Sequence, residues 1–506
     1  MIKRIRAHDL HPHAIRCLRI GSPVLALALG SLVLALPALA APAPHRVSDS
    51  LAPGFCARAP STSASSRPAA NRSPTEHAAT ANAVSGDAYL VKDINLSGDS
   101  YAYEMTPVGD IAFFAAIGPG GNELWKTDGT EVGTVRVKNI RTGTKSSSPS
   151  YLTAVGKSLF FTAVDNNKDR ELWVSDGTSA GTRRVKNISP SSSSSPYDLV
   201  NVNGTLFFGA YGPGGAELWK SDGTELGTVR VKDLLPGPDG SRPSDFIAAG
   251  GLAFFSAQNK SFEYRLWRSD GTAGGTYPLS GQDPYAGADH LMAVGDRAYF
   301  TAANDTGGCS LETSYFRSDG TNQGTFAVAD ELMEDAPKAS FKNRFYYGEG
   351  SSLKKANRSE TSGVLVKAFG IPVSTDGCNI VGITQVGSRL FVMVDICAYD
   401  AGEYVQTDRQ LWKSDGTKTG TKMVLSWGRA VMGDPLMTDV GGVLFFSSMD
   451  IDGCSDVWRS DGTATGTMPV TDIGCSYPYD LTEFNSSLLF NHDDGVHGRE
   501  LWSVAP

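Results

Sequence analysis

The sequence predicts an all-β protein, a β-propeller built from four-stranded repeats of about 46–47 residues. Three observations lead to this prediction. A twelve-residue motif recurs at regular spacing, each repeat divides into four short strand-like segments, and the segment that opens the repeat region matches the strand that the last repeat lacks. Four strands in a repeat of this length is typical of a propeller blade. An open β-solenoid is the structural alternative.

The motif reads Glu-Leu-Trp-x-Ser-Asp-Gly-Thr-x-x-Gly-Thr. Its near-complete copies begin at Glu123, Glu171, Glu217, Arg265, Ser314, Gln410 and Asp456, and a last Glu-Leu-Trp begins at Glu500. The aromatic residue of the motif recurs every 44–49 residues, except that 96 residues separate Phe316 from Trp412. Segment 344–369 has the outline of a decayed unit in that interval. Nine repeat units are therefore counted, giving eight or nine blades depending on whether the decayed unit is a blade or an insertion.

Each repeat is expected to contain four strands, and the third repeat shows why. Asn203-Gly204 is a tight hairpin signal, Leu206-Phe207-Phe208 is a short buried run, and Val229 and Val231 alternate with charged residues. Such period-2 patterning between turn residues predicts strands. The predicted strands are 198–202, 205–210, 216–221 and 228–234.

The two ends of the repeat region predict a closed ring. Residues 89–94 (YLVKDI) match the fourth strands VRVKNI at 135–140 and VRVKDL at 229–234, whereas the chain stops after a third strand at 500–504. The N-terminal strand can therefore complete the last blade. Such closure removes two open sheet edges at once.

The first 87 residues are expected to lie outside the propeller. Residues 1–40 combine a basic start, an apolar run over 24–36 and the small residues Ala38 and Ala40 before Ala41, the pattern of a signal peptide. An uncleaved membrane anchor is the alternative, although the run is short for a spanning helix. Residues 41–87 are rich in Ala, Pro and Ser and predict a disordered linker. Residues 88–506 are predicted to form the propeller of an exported protein, extracellular or periplasmic, without a membrane span after cleavage.

Composition and charge exclude one class of binding partner. The 506-residue chain has a net charge of −9 and is 41% hydrophobic and 20% charged, as in a globular protein. A nucleic-acid partner is not expected, because binding phosphates needs clustered Lys and Arg.

The seven near-complete copies resemble the bacterial ELWxxDGT repeat family, and the resemblance covers about residues 88–506. It implies an exported, propeller-like repeat protein. It supplies no catalytic residues.

The aspartates of the motif are predicted to build turns. An Asp side chain accepts hydrogen bonds from backbone N–H groups two residues on, and the following Gly allows positive φ. One carboxylate in each blade could instead bind metal or sugar. The residues are Asp128, Asp176, Asp222, Asp270, Asp319, Asp415 and Asp461.

The aromatic residues of the motif are predicted to pack between blades, with sugar-binding platforms as the alternative. They are Trp125, Trp173, Trp219, Trp267, Phe316, Trp412, Trp458 and Trp502.

No cofactor is predicted, and calcium is the one metal for which oxygen-rich loops offer weak candidates. None of these loops has the spacing of an EF-hand, and His492 with His497 is a weak zinc signal because further ligands are missing. The weak calcium candidates are Asp165, Asp169, Asp450, Asp452, Asp493 and Asp494.

Two disulfides are predicted, because each cysteine pair is symmetric about a turn and antiparallel pairing would bring its members together. The pairs are Cys378 with Cys397 and Cys454 with Cys475. The sequence leaves the pairing of Cys56 and Cys309 open.

Uniform repeats without a recognisable catalytic motif predict an exported, non-enzymatic binding or scaffold protein. One face or the rim of the ring would hold a polysaccharide, an envelope component or a protein. Two alternatives stay open, a polysaccharide hydrolase or lyase on a propeller and a calcium-stabilised surface structural protein.

Overall fold

The computed structural model describes residues 88–279, 285–304, 312–329, 336–369, 379–400, 403–428, 435–449, 455–470 and 478–506. All of them belong to one compact unit, Ala79–Pro506. They form 36 β-strands, numbered here in chain order, and no helix occurs among them.

The strands form nine antiparallel four-stranded sheets, and these are the blades of a β-propeller. Blade one begins with β2, and each later blade takes the next four strands, except that blade nine takes β34, β35, β36 and β1. The first strands are β2 (Tyr103–Val108), β6 (Ser150–Val155), β10 (Tyr197–Val202), β14 (Ser244–Ala249), β18 (Tyr285–Val294), β22 (Lys338–Phe341), β26 (Ile380–Val386), β30 (Met437–Val440) and β34 (Tyr479–Phe484).

The second strands are β3 (Ile111–Gly118), β7 (Ser158–Val164), β11 (Thr205–Gly212), β15 (Leu252–Gln258), β19 (Arg297–Asn304), β23 (Arg344–Glu349), β27 (Arg389–Asp400), β31 (Val443–Met449) and β35 (Ser487–Asp493). The third strands are β4 (Gly121–Thr127), β8 (Arg170–Ser175), β12 (Gly215–Ser221), β16 (Tyr264–Ser269), β20 (Glu312–Ser318), β24 (Ser352–Ala356), β28 (Glu403–Ser414), β32 (Ser455–Ser460) and β36 (Arg499–Val504). The fourth strands are β5 (Val135–Lys138), β9 (Arg183–Arg184), β13 (Val229–Lys232), β17 (Tyr277–Pro278), β21 (Phe326–Ala329), β25 (Gly363–Ala368), β29 (Lys422–Ser426), β33 (Thr467–Pro469) and β1 (Tyr89–Lys92).

The predicted closed ring is confirmed. Each first strand contacts the first strand of the next blade, and β34 of blade nine contacts β2 of blade one. The N-terminal β1 pairs with β36, with Tyr89 opposite Ser503 and Leu90 opposite Trp502. The nine first strands therefore surround the central axis, and we call this ring the channel wall. The segment expected to be a decayed unit is a complete blade six, so the count is nine and an open solenoid is excluded.

The hydrophobic core lies between neighbouring blades. Phe207 and Phe208 of β11 are both buried although they point to opposite faces of the sheet, because each face of a blade is covered by another blade. Trp219 lies in a cluster with Leu172 and Ile188 of the preceding blade. The same contact with the preceding blade recurs for Trp125, Trp173, Trp267, Phe316, Trp412, Trp458 and Trp502.

Blade six keeps its contact with blade five although it lacks the motif. In place of a Trp in the third strand, aromatic residues of β23 fill the interface, and the rings of Tyr299 and Phe345 stack with centroids 4.5 Å apart. In place of the motif turn, Glu360 reaches back to blade five, 2.6 Å from Arg297 and 3.4 Å from Arg317. Other contacts at the same interface therefore take the place of those that the motif makes elsewhere.

Lysine side chains of one blade also bind the motif turn of the next blade. Lys220 Nζ of blade three donates to the carbonyl of Gly271 in the turn of blade four (2.9 Å), and Lys232 Nζ donates to the carbonyl of Thr276 (2.6 Å). Lys413 Nζ repeats the first contact on Gly462 of blade eight (2.6 Å). Each donor satisfies a turn carbonyl that the sheet leaves unpaired.

Candidate functional site

The channel wall carries one set of polar side chains at equivalent positions. The residue four places before the end of the first strand has positive φ in six consecutive blades, from blade nine through blade five. These residues are Asp480 (φ 62°), Glu104 (φ 54°), Tyr151 (φ 56°), Asp198 (φ 51°), Asp245 (φ 57°) and His290 (φ 55°). Positive φ is uncommon for residues other than glycine. We call this set the polar arc.

A bulge in the first strand produces this conformation. The register with the second strand shifts between Tyr103 and Thr106 in blade one and between Tyr197 and Val200 in blade three. The same shift occurs in the first strands of blades two, four, five and nine. A bulge leaves one residue outside the ladder and redirects its side chain. Here it turns the side chain toward the next first strand.

Four carboxylates of the polar arc bridge neighbouring first strands. Asp480 accepts a hydrogen bond from the backbone N–H of Met105 (3.0 Å), and Glu104 accepts one from Leu152 (2.8 Å). Further round the ring, the carboxylate of Asp198 accepts from the backbone N–H of Asp245 (3.1 Å), whose own carboxylate accepts from Leu291 (2.7 Å). These bonds hold the inner edges of the blades together and fix the carboxylates along the channel wall.

The carboxylates of the polar arc carry negative charge that the surrounding protein does not fully neutralise. Burial raises the pKa of Glu104 and the charge of Asp480 raises it further, whereas the positive charge of Arg170 lowers it. Burial raises the pKa of Asp480 too. Burial also raises the pKa of Asp198, and the charge of Asp245 makes a smaller contribution in the same direction. Tyr151 lies on the first strand between those of Glu104 and Asp198 and is 42% exposed. Its pKa is raised by burial and by the charges of Asp198 and Glu104.

The positive charge of Arg170 acts on Glu104 and Tyr151, but the described part of the chain places no cation in direct contact with the carboxylates of the arc. None of Asp480, Glu104, Asp198 and Asp245 forms an ion pair with a described Lys or Arg. Blades six, seven and eight carry Pro337, Gly382 and Leu436 at the equivalent positions. The channel wall is therefore acidic on one side and uncharged at this level on the other.

Reasoning from the sequence missed the polar arc. Asp198 begins the predicted strand 198–202. The alternation of apolar and polar residues along this strand is too weak to single out Asp198. A signal was present: counting back from the end of each first strand puts an acidic residue at the same position in four of the nine blades. What the sequence could not show is the bulge, because its register shift arises only when the two strands pair.

The motif aspartates lie in the turns between third and fourth strands. Asp176 Oδ1 accepts hydrogen bonds from the backbone N–H of Thr178 (2.8 Å) and from its hydroxyl (2.7 Å), and Thr178 Oγ1 accepts from Gly181 N–H (2.9 Å). These bonds to the ionised form hold the pKa of Asp176 below its usual value. The same bonds recur at Asp128, Asp222, Asp270, Asp319, Asp415 and Asp461.

The second glycine of the motif turn should tolerate no side chain. A Cβ at Gly275 would collide with the carboxylate of Asp270, whereas a Cβ at the adjacent Gly274 would meet nothing within 4 Å. We expect Gly275→Ala to lower the free energy of unfolding by about 1–3 kcal/mol, because the turn must shift to relieve the collision. Gly274→Ala is the matched control and should change stability by less than about 1 kcal/mol. Equal urea midpoints for the two variants would contradict this account of the turn.

The weak metal candidates are engaged in local contacts where the structure describes them. Asp165 Oδ2 lies 3.3 Å from Arg184 Nη1, and Asp169 lies 3.8 Å from the same atom. Asp494 pairs with His497 Nδ1 at 2.7 Å, and Asp493 accepts the backbone N–H of Gly495. Within the described ranges, no group of three or more His, Cys, Asp or Glu is arranged to hold a metal ion. Asp450 and Asp452 lie outside the described residues.

The remaining sequence predictions fall largely outside the described residues. Cys378, Cys454 and Cys475 lie there, as do Cys56 and Cys309, and so do the expected signal peptide and linker. Cys397 belongs to β27, opposite Gln406 of β28. Among the residues with described structure, none forms a helix long and apolar enough to span a lipid bilayer.

Comparison with known proteins gives resemblance at the level of the fold. No protein-family model matches the sequence, and neither does any curated protein. Among solved structures, a tricorn protease is similar with 12% identity and a TM-score of 0.34, over 77% of this chain and 41% of that one. A puromycin hydrolase is similar with 14% identity and a TM-score of 0.33, over 75% and 61%. One of two prolyl endopeptidases gives 13% identity and a TM-score of 0.37, over 72% and 55%.

These findings correct the function predicted from the sequence. The non-enzymatic binding or scaffold role was inferred from uniform propeller repeats, yet the solved proteins named above are a protease, a hydrolase and an endopeptidase. That prediction and its two alternatives are not retained. The chain spans about 41–61% of the length of these structures, and its described residues form a propeller alone.

Proposed function

We propose that this chain is a peptidase-related propeller that recognises basic peptide segments along the polar arc of its channel wall. The observation that carries the proposal is the arc itself, with four carboxylates fixed on the first strands of blades nine, one, three and four and no ion-pairing Lys or Arg among the described residues. Peptides are the substrates that peptidases act on, and we assign that ligand class to the chain as part of the proposal.

The spread of the charge around the ring favours an extended polycation over a single ion. The carboxylates belong to different blades, and the described residues bring no three metal-ligating groups together. A peptide with several Lys or Arg residues can meet several carboxylates at once. The half-exposed ring of Tyr151 lies in the middle of the arc and offers a face on which a cationic side chain can pack.

Binding of a labelled peptide tests the proposal. We expect a fluorescein-labelled, Lys/Arg-rich peptide to bind the full chain, and a Glu/Asp-rich peptide of equal length not to bind, when fluorescence anisotropy is measured at low salt. Binding should weaken as salt is added, because the attraction is electrostatic. The double variant Asp198→Asn/Asp245→Asn should bind about five- to tenfold more weakly, if each partly exposed charge contributes up to about 1 kcal/mol.

The matched control is Asp110→Asn/Asp239→Asn, which removes the same charge from two exposed residues outside the arc. It should bind as the unmodified chain does. Because the pKa values of Glu104, Asp198 and Asp480 are raised, their charges are fully present only above the usual carboxylate range. Affinity should therefore fall on acidification sooner than ordinary carboxylates would allow.

Three outcomes would count against the proposal: equal binding of acidic and basic peptides, unchanged affinity of the arc variant, or complete displacement of the peptide by equimolar spermidine. The last would mean attraction of any polycation without recognition of a peptide. Mass spectrometry of the same samples shows whether bound peptide is cleaved, which would assign hydrolysis to this chain itself.

A further inference from the structure

The channel wall changes its chemical character on the side opposite the polar arc. In the ring of nine blades, blade seven lies across the channel from the boundary between blades two and three, which is the middle of the arc. At the level of the arc, blades six, seven and eight carry Pro337, Gly382 and Leu436, all without a polar side chain. An acidic part and an apolar part of the wall therefore face each other.

An apolar contact joins blades seven and eight where a carboxylate joins the blades of the arc. A Cβ at Gly382 would lie 3.0 Å from Pro435 and 2.6 Å from the sulfur of Met437, so the backbone of blade seven packs directly against these two side chains of blade eight. In the arc, by contrast, a carboxylate accepts a backbone N–H of the next blade, as Glu104 does from Leu152. The apolar stretch of the wall is defined here as Pro337, Gly382, Pro435, Leu436 and Met437.

Leu436 is the most exposed residue of the apolar stretch, at 40%. Its backbone is fixed at both polar groups, because its N–H donates to Ser447 Oγ (2.9 Å) and its carbonyl accepts from Ser447 N–H (3.0 Å). The half-buried Pro337 is also held, since its carbonyl accepts from Gly348 N–H (2.9 Å). The stretch is therefore a fixed apolar surface at the entrance to the first strands of blades six and eight.

The three strands that carry or adjoin the apolar stretch, β22, β26 and β30, contain two charged residues, Lys338 and Asp439. Lys338 is turned toward blade five, where its Nζ lies 6.0 Å from the centroid of the Tyr315 ring. Asp439 lies near the far end of β30 and accepts the backbone N–H groups of Gly387 and Gly442, both at 2.8 Å. The apolar stretch itself carries no charge that would compete with the arc for a cationic ligand.

We propose that the channel binds amphipathic basic peptides, which place cationic side chains on the polar arc and apolar side chains on the apolar stretch. This inference rests on the proposed function and narrows its ligand class. Successive side chains of an extended peptide point to opposite sides, so a peptide in which basic and apolar residues alternate presents one kind to each wall. Burial of the apolar side chains adds to an electrostatic attraction that by itself does not depend on the order of the residues.

Two peptides of identical composition test the inference. Lys-Leu-Lys-Leu-Lys-Leu-Lys presents all its Lys residues on one side of an extended chain, whereas Lys-Lys-Lys-Lys-Leu-Leu-Leu does not separate the two kinds of side chain in this way. With fluorescein-labelled peptides and the full chain at low salt, we expect anisotropy to show about tenfold tighter binding of the alternating peptide, because it can bury Leu side chains while its Lys residues stay on the arc. Since both peptides carry the same charge, general attraction to an acidic wall would not produce this difference.

Substitution of Leu436 tests whether the preference comes from the apolar stretch. Leu436→Ser should bring the affinity for the alternating peptide to within about threefold of that for the block peptide, because the exposed apolar contact is lost. Its affinity for the block peptide should stay that of the unmodified chain. Leu226→Ser is the matched control, since Leu226 is 91% exposed in the motif turn of blade three, outside the channel. It should change neither affinity.

Failure of the inference can be told apart from failure of the proposed function. Equal affinities of the two peptides for the unmodified chain, both weakened by Asp198→Asn/Asp245→Asn, would overturn the amphipathic ligand and leave the proposed function standing. A preference that persists in Leu436→Ser would overturn the inference as well. Binding of neither peptide would contradict the proposed function, and the inference with it. The comparison of the two peptides on the unmodified chain remains decisive even if Leu436→Ser does not fold.

Discussion

Arg409→Met should lower the free energy of unfolding by about 3–5 kcal/mol, because it leaves the carboxylate of Asp395 buried without its partner. Arg409 Nε and Nη2 lie 2.7 and 2.8 Å from the two oxygens of Asp395, and both side chains are at most 5% exposed. The two residues face each other across β27 and β28, which at 12 residues each are the longest strands described. The pair therefore sits where this long hairpin leaves the body of blade seven.

The double variant Arg409→Met/Asp395→Leu distinguishes an unpaired charge from a general packing defect. Replacing both members of a buried ion pair by apolar groups is often nearly neutral, since no uncompensated charge remains. We expect urea denaturation followed by circular dichroism to show recovery of most of the stability lost in the single variant. A double variant as unstable as Arg409→Met would contradict the electrostatic explanation.

Trp219→Ala should cost about 3–5 kcal/mol of stability, because the indole fills the space between blades three and two. Trp219 is 7% exposed and packs with Leu172 and Val185 of the preceding blade. Truncation would leave a cavity that two twisted sheets cannot close without moving the ring. The measurement is the urea midpoint, with tryptophan-independent circular dichroism as the signal.

Trp219→Phe is the matched variant, and the chain itself shows that it is viable. Blade five carries Phe316 at this position, 1% exposed in its own inter-blade cluster. The indole Nε1 of Trp219 has no hydrogen-bond partner in the described structure, so loss of its N–H removes no bond. We expect a cost below about 1.5 kcal/mol. An equal loss in the Ala and Phe variants would mean that shape, and not filled volume, governs the interface.

The architecture could be predicted almost completely, and the third repeat shows how closely. Its expected strands 198–202, 205–210, 216–221 and 228–234 correspond to Tyr197–Val202, Thr205–Gly212, Gly215–Ser221 and Val229–Lys232. The boundaries differ by one or two residues because ladder hydrogen bonds extend a strand into glycines, such as Gly212 and Gly215, that the pattern assigns to the loop.

The candidate site could not be predicted in the same way. The sequence drew attention to the motif aspartates, whose carboxylates are bonded within their own turns. The charges that line the channel wall, at Glu104, Asp198 and Asp480, belong to no repeated motif. Only pairing in the folded blade creates the bulges that turn them toward the next first strand. The function inferred from repeats and missing motifs was wrong as well, because a fold by itself says little about the chemistry that it carries.

By itself, the sequence determined what depends on local periodicity: four strands in each repeat, nine repeats, and an N-terminal strand that matches the vacant place in the last blade. Strand patterns and turn residues act over a few neighbours along the chain, so they can be seen without the fold. The tertiary structure alone decided which carboxylates face the channel, how blade six replaces its lost motif through Glu360, and how the carboxylate of Glu500 reaches the backbone of Ile94. Those properties depend on contacts between residues as far apart as positions 94 and 500, and on the burial that the closed ring imposes.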